Sequence, residues 1–295
     1  VFDKLFDQTI MRFMLRHHWL SVATLLIAIG LLASLALDWP ARDVELVGVS
    51  FALSGRTLLG LILVGLVWAG SDSLLRHHPL AAPGLLGVLP LGWVLPTVWV
   101  VAAWLLLPFA GRIAVQVLGI AAVCALLALT AAAEYYVADP ASRWRAGVQF
   151  VLHLATYLAA MLLYTAIRLG VASRGTATAS VAVASAVLAW RLCAGDDRIA
   201  PSLPRLQIKE LGALDGTALG RGWVFVALGI LTAASCWLLG LWTRPPLLFG
   251  LVLVVLLYVG VGLLKQFLLQ TLTQRVVAEY LVVGVVALLL PFLVR

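Results

Sequence analysis

Residues 246–264 read PLLFGLVLVVLLYVGVGLL. The stretch carries no charge, and its one hydroxyl belongs to Tyr258. A helix needs about 20 apolar residues to cross roughly 30 Å of hydrocarbon, so this segment reads as a membrane span. Working outward, comparable runs recur at 19–37, 55–74, 84–107, 113–133, 147–167, 176–193, 223–242 and 277–294. The 295-residue chain is 63% hydrophobic and 11% charged, with a mean hydropathy of +1.09. A soluble domain has about 45–50% apolar and about 25% charged residues. An ordinary soluble enzyme, a disordered chain, a coiled coil and a disulfide scaffold are therefore excluded. The expected fold is all-α: a polytopic transmembrane helical bundle of about nine spans. The spans leave only short connections, so no separate soluble domain fits.

Four segments follow. Residues 1–18 read as an amphipathic interfacial helix: Lys4, Gln8, Arg12 and Arg16 recur on one face, with Phe2, Leu5, Phe6, Ile10 and Phe13 opposite. Spans 1–6 occupy 19–194, a cytoplasmic polar loop 195–222, and spans 7–9 residues 223–295, all in one membrane domain. The first span is too long for a signal-peptide core and reads as retained. Pro90 and Pro96 are expected to kink span 3 or to force a broken geometry.

Orientation follows from the cations. With the N-terminus inside, thirteen of the twenty Lys and Arg fall on the inner side and seven on the outer. That bias gives N-in, C-out, and a bacterial cytoplasmic membrane is the expected location. Arg168 and Arg174 run against the bias. The net charge of +7 and pI of 9.8 are thus a membrane signature, and no basic stripe with interleaved aromatics suggests nucleic acid. Trp19, Trp39, Trp68, Trp190, Trp223 and Trp242 fall near span ends, where indoles suit the headgroup layer. The three cysteines are isolated and read as small apolar packing groups.

Polarity inside a span costs a few kcal/mol, so intramembrane polar residues are functional candidates. Span 5 is the densest case. Gln149, His153, Tyr157, Tyr164 and Arg168 lie 4, 4, 7 and 4 residues apart, along one helical stripe. This seam is expected to line a ligand site or cavity. His153 has three readings: a metal or porphyrin ligand, a proton relay, or a structural hydrogen-bonder between helices. A b-type haem takes two histidines, and His17, His18, His77 and His78 all lie at span ends; no metal site is assigned.

Asp72, Glu134 and Glu279 form a second group, three carboxylates at one depth on the inner face. They read as a cation or proton entry site, or as separate partners of loop cations: Arg76 for Asp72, Arg143 or Arg145 for Glu134, and Arg275 for Glu279 at i, i+4. Between spans 8 and 9, Gln266, Gln270 and Gln274 are spaced as the amide face of an inner-surface helix, suited to a partner. Span 6, rich in Ala, Ser and Thr, permits close backbone approach at the bundle centre or a subunit contact.

No Walker A loop, HExxH, GxSxG or matched pair of interrupted spans is present, and no catalytic residue is assigned. The leading expectation is a non-catalytic integral subunit of a larger, energy-transducing membrane complex. It would contact other membrane subunits and, through the span-5 seam, bound lipid, with quinone or pigment as alternatives. A transporter or flippase for a small or amphiphilic substrate is the second reading. The third is a membrane enzyme on a lipid-linked substrate, using Glu134, Asp196 and Asp197.

Overall fold

The computed structural model of the chain describes residues 18–36, 42–46, 49–76, 92–137, 143–171, 173–194, 216–240 and 245–293. Nine α-helices occur among them, one at each expected span: α1 (His18–Ala36), α2 (Gly55–Arg76), α3 (Val94–Leu106), α4 (Ile113–Val137), α5 (Arg145–Gly170), α6 (Arg174–Ala194), α7 (Gly216–Leu239), α8 (Pro246–Leu268) and α9 (Gln274–Leu293). Five of them, α2, α4, α5, α6 and α8, are long and apolar enough to cross a membrane. This is the build of an integral membrane protein. The interfacial helix expected over residues 1–18 lies, but for His18, outside the described residues, as does most of the loop expected at 195–222.

Four expectations need correction. The connection between α1 and α2 holds a two-stranded antiparallel hairpin, β1 (Arg42–Leu46) and β2 (Val49–Leu53), with Leu46 opposite Val49. Its strands are five residues each, too short to stand out in a sequence dominated by helical apolar runs. Second, α7 begins at Gly216, so the last turns of the expected loop are helical. Third, Pro96 does not kink α3. It is the third residue of that helix, inside the first turn, where a backbone N–H has no intrahelical acceptor to lose.

The fourth concerns the glutamines. No single helix carries Gln266, Gln270 and Gln274. α8 stops at Leu268, and Gln270 takes a left-handed conformation at φ 56°. The Gln270 N–H donates to the Phe267 carbonyl (3.1 Å) and the Thr271 N–H to the Gln266 carbonyl (3.0 Å), the two bonds of a Schellman motif. Thr273 then caps α9, accepting from the Val276 N–H at 3.4 Å. Gln266 ends α8, Gln270 makes the reversal and Gln274 opens α9, so three amides spaced by four face no common direction. A left-handed residue without glycine's freedom costs about 1–2 kcal/mol. Gln270→Gly is therefore expected to raise the thermal midpoint in detergent, by about 1 kcal/mol of stability, whereas Gln270→Val should lower it.

Helix α5 is the hub of the bundle. It contacts α3, α4, α6 and α8, and 50% of its apolar window is buried, against 17% for α2 and α4. Small residues set the closest approaches around it. A Cβ on Gly250 of α8 would lie 2.7 Å from the Met161 carbonyl oxygen of α5. Span 6 behaves as its composition implies: α6 lies against α7 so closely that a Cβ on Gly229 would fall 2.6 Å from the Ala182 carbonyl oxygen.

Candidate functional site

The stripe on α5 does not line one channel. Because α5 has neighbours on several sides, each polar residue meets a different environment.

At the N-terminal end, Gln149 and His153 line a small cleft with Leu152 and Thr156 of α5, Glu134 and Val137 of α4, and Arg191 and Leu192 of α6. Glu134 comes at the end of α4 behind three alanines, and Arg191 sits in the last turn of α6. The two meet as an ion pair between Arg191 Nη2 and Glu134 Oε1, with side chains only 11% and 12% exposed. This is the interior charge of the site, and the cation paired with Glu134 there is Arg191, while Arg143 lies over the Trp144 ring at 5.1 Å. Arg191 Nε is buried and has no hydrogen-bond partner among the described residues. Thr156 turns its proton away from the cleft, donating to the Leu152 carbonyl at 2.7 Å. The cleft thus offers a neutral ion pair, an amide, an imidazole and an unused guanidinium N–H beside an apolar floor. Such a set orients a polar head while hydrocarbon walls take the rest of a molecule.

One turn on, Tyr157 leaves this cleft and meets Tyr258 of α8 edge-on, at 5.6 Å and 68°. Tyr258 in turn lies 6.1 Å from Tyr280 of α9. Further along, Tyr164 is fully buried, and its hydroxyl shares a 2.8 Å hydrogen bond with Ser185 of α6. At the C-terminal end, the Arg168 guanidinium lies 5.6 Å from the centre of the Phe249 ring. Gln149 and Arg168 are 19 residues apart, about 28 Å at 1.5 Å per residue. That distance roughly equals the hydrocarbon thickness of a bilayer.

The three inner-face carboxylates do not share the cleft. Only Glu134 lines it. Glu279 is exposed and pairs along α9 with Arg275 at 3.2 Å, as the i, i+4 spacing implies. Asp72 lies in the last turns of α2, half-buried and away from the cleft lining. No group of three His, Cys, Asp or Glu side chains suited to a metal occurs among the described residues. Sequence reasoning overlooked Arg191, counting it among the inner-side cations; its place in the last turn of an otherwise small-residue helix was the available signal. Ser185, the partner of Tyr164, was hidden among the small residues of the same span. Asp196 and Asp197 lie outside the described residues.

A family model described as a protein of unknown function (DUF5656) matches residues 40–203 and 213–294, stretches that include both ends of the α5 seam. No curated protein and no solved structure matches the chain.

Proposed function

We propose a function for a chain that belongs to the DUF5656 family: a non-catalytic integral subunit of a larger membrane complex, holding an amphiphile at the Glu134–Arg191 cleft. The amphiphile is a lipid, or a quinone or pigment with a comparably polar head. In this reading the nine helices run N-in to C-out in a bacterial cytoplasmic membrane, following the loop-charge bias. The single observation that carries the proposal is the division of the α5 stripe. Tyr157, Tyr164 and Arg168 are engaged with Tyr258, Ser185 and Phe249 in turn. Such contacts fix helices to one another, and they separate the cleft at one end from the other face. A polar head with hydrocarbon attached suits a blind cleft of this kind, whereas a solute in transit needs a path beyond it.

One observation favours a carrier instead. α3 is 13 residues long, about 20 Å, and it is largely buried among its neighbours. Short, enclosed helices of this sort occur at the substrate sites of transporters.

Native mass spectrometry of the full chain extracted in mild detergent, with an absorption spectrum of the same sample, distinguishes the two. The subunit reading expects other chains at fixed stoichiometry. If a chromophore co-purifies, His153→Ala is expected to shift its visible band. A lone, colourless 31.6 kDa species overturns the reading and leaves uptake into vesicles as the assay for the carrier.

A further inference from the structure

The far end of the seam holds a second small cleft, where the ends of α5, α6, α7 and α8 converge. Arg168, Arg174, Thr178, Trp237 and Phe249 are among the residues that line it. Two arginines therefore line one small space, and no carboxylate lines it among the described residues. Among the described residues neither arginine makes an ion pair. Arg168 is held by the Phe249 ring, which fixes the position of a cation without neutralising it. The Thr178 hydroxyl donates to the Arg174 carbonyl at 2.8 Å, so it shapes the cleft and leaves the arginines as the free donors.

Two cations that line one cleft repel each other. They also stand on the side that the loop charges assign to the cation-poor face, so they do not serve as orientation signals. What they offer is a fork of N–H donors matched to the oxygens of a phosphate. The cleft is continuous with apolar outer surface: Trp237 is 52% exposed and its neighbour Leu238 64%.

We propose that this cleft binds a phosphate-bearing anion, with Arg168 and Arg174 gripping the phosphate oxygens and the Trp237 side accommodating any attached hydrocarbon. The phosphate comes from a phospholipid headgroup or from a soluble phosphate compound. This site is independent of the subunit reading, since it needs only this chain.

The test uses the full chain in mild detergent, stripped of lipid and titrated under native mass spectrometry with dioleoylphosphatidylglycerol, with dioleoylglycerol as the phosphate-free control. A parallel arm adds inorganic phosphate and glycerol phosphate. Wild type is expected to retain one phosphatidylglycerol and to ignore dioleoylglycerol. The double variant Arg168→Gln/Arg174→Gln should bind it at least about tenfold more weakly, since it loses the charge-assisted hydrogen bonds to the phosphate. Arg275→Gln, which removes an exposed cation on α9 away from this cleft, should leave it unchanged. Arg174 is exposed, so Arg174→Gln alone keeps the fold and carries the test if the double variant does not. Displacement of the lipid by millimolar phosphate, or phosphate binding without lipid, supports the same site with a soluble occupant. Equal retention of dioleoylglycerol, or phosphatidylglycerol binding that a folded arginine variant does not weaken, overturns the proposal. Loss of other chains during purification bears only on the subunit reading and leaves this measurement intact.

Discussion

Arg191→Met is expected to destabilise the protein by about 3–5 kcal/mol, the cost of leaving a buried carboxylate without its cation. Glu134 is 12% exposed against Arg191, so water does not replace the lost partner in place. The result should be a lower midpoint in thermal or SDS unfolding of the detergent-solubilised protein. The sharper part of the prediction concerns the pair. Replacing both residues, in Glu134→Leu/Arg191→Met, removes the charges together and should recover most of the loss, because a well-packed apolar pair often equals or exceeds a buried ion pair in stability. Effects that merely add would mean that the two side chains do not depend on each other, contrary to the geometry.

Gly229→Val should produce the second large loss, about 2–3 kcal/mol, typical of overpacking at a closed contact. The obstacle is backbone: the new Cβ would meet the Ala182 carbonyl oxygen at 2.6 Å and the Ala186 methyl at 3.2 Å. A side chain can rotate aside, but a carbonyl within a helix cannot, so α6 and α7 must separate. Gly65→Ala supplies the contrast. Nothing lies within 4 Å of its Cβ position, and alanine exceeds glycine in helix propensity by about 1 kcal/mol, so that variant should be neutral or slightly more stable. The two midpoints, measured side by side, separate tight contact from helix propensity.

Much of the fold was legible because hydropathy in a membrane helix is read over some 20 residues, long enough for the signal to survive local exceptions. The positions of all nine helices followed from it, and the reliance of span 6 on small residues foretold its close contact. The stripe on α5 was legible as a set of residues but not as a site. Steps of four residues advance about 400° around a helix of 3.6 residues per turn, so each such step drifts about 40°. From Gln149 to Arg168 the stripe turns by about 100°, enough to pass from the α4–α6 side to the α8 side. Which residue answers Glu134 was not legible at all, since that pairing depends on how α4 and α6 lie against α5. The break at Gln270 escaped notice for a different reason: its left-handed turn is usually marked by glycine, and here a glutamine holds it.

Helix α4 has a consequence for where the protein can reside. Its 25 residues make a rod of about 37 Å, longer than the roughly 30 Å hydrocarbon layer. Little of it is covered by the rest of the bundle: Ile113 is 79% exposed, Leu118 71% and Leu129 65%. The apolar part of α4, 113–133, is about 31 Å, so the surplus is the last turn, which carries Glu134, Tyr135 and Tyr136. The short α3, by contrast, is screened by its neighbours and presents its mismatch to protein. The bilayer thickness in which this molecule rests without strain is therefore set along one flank, by the apolar length of α4.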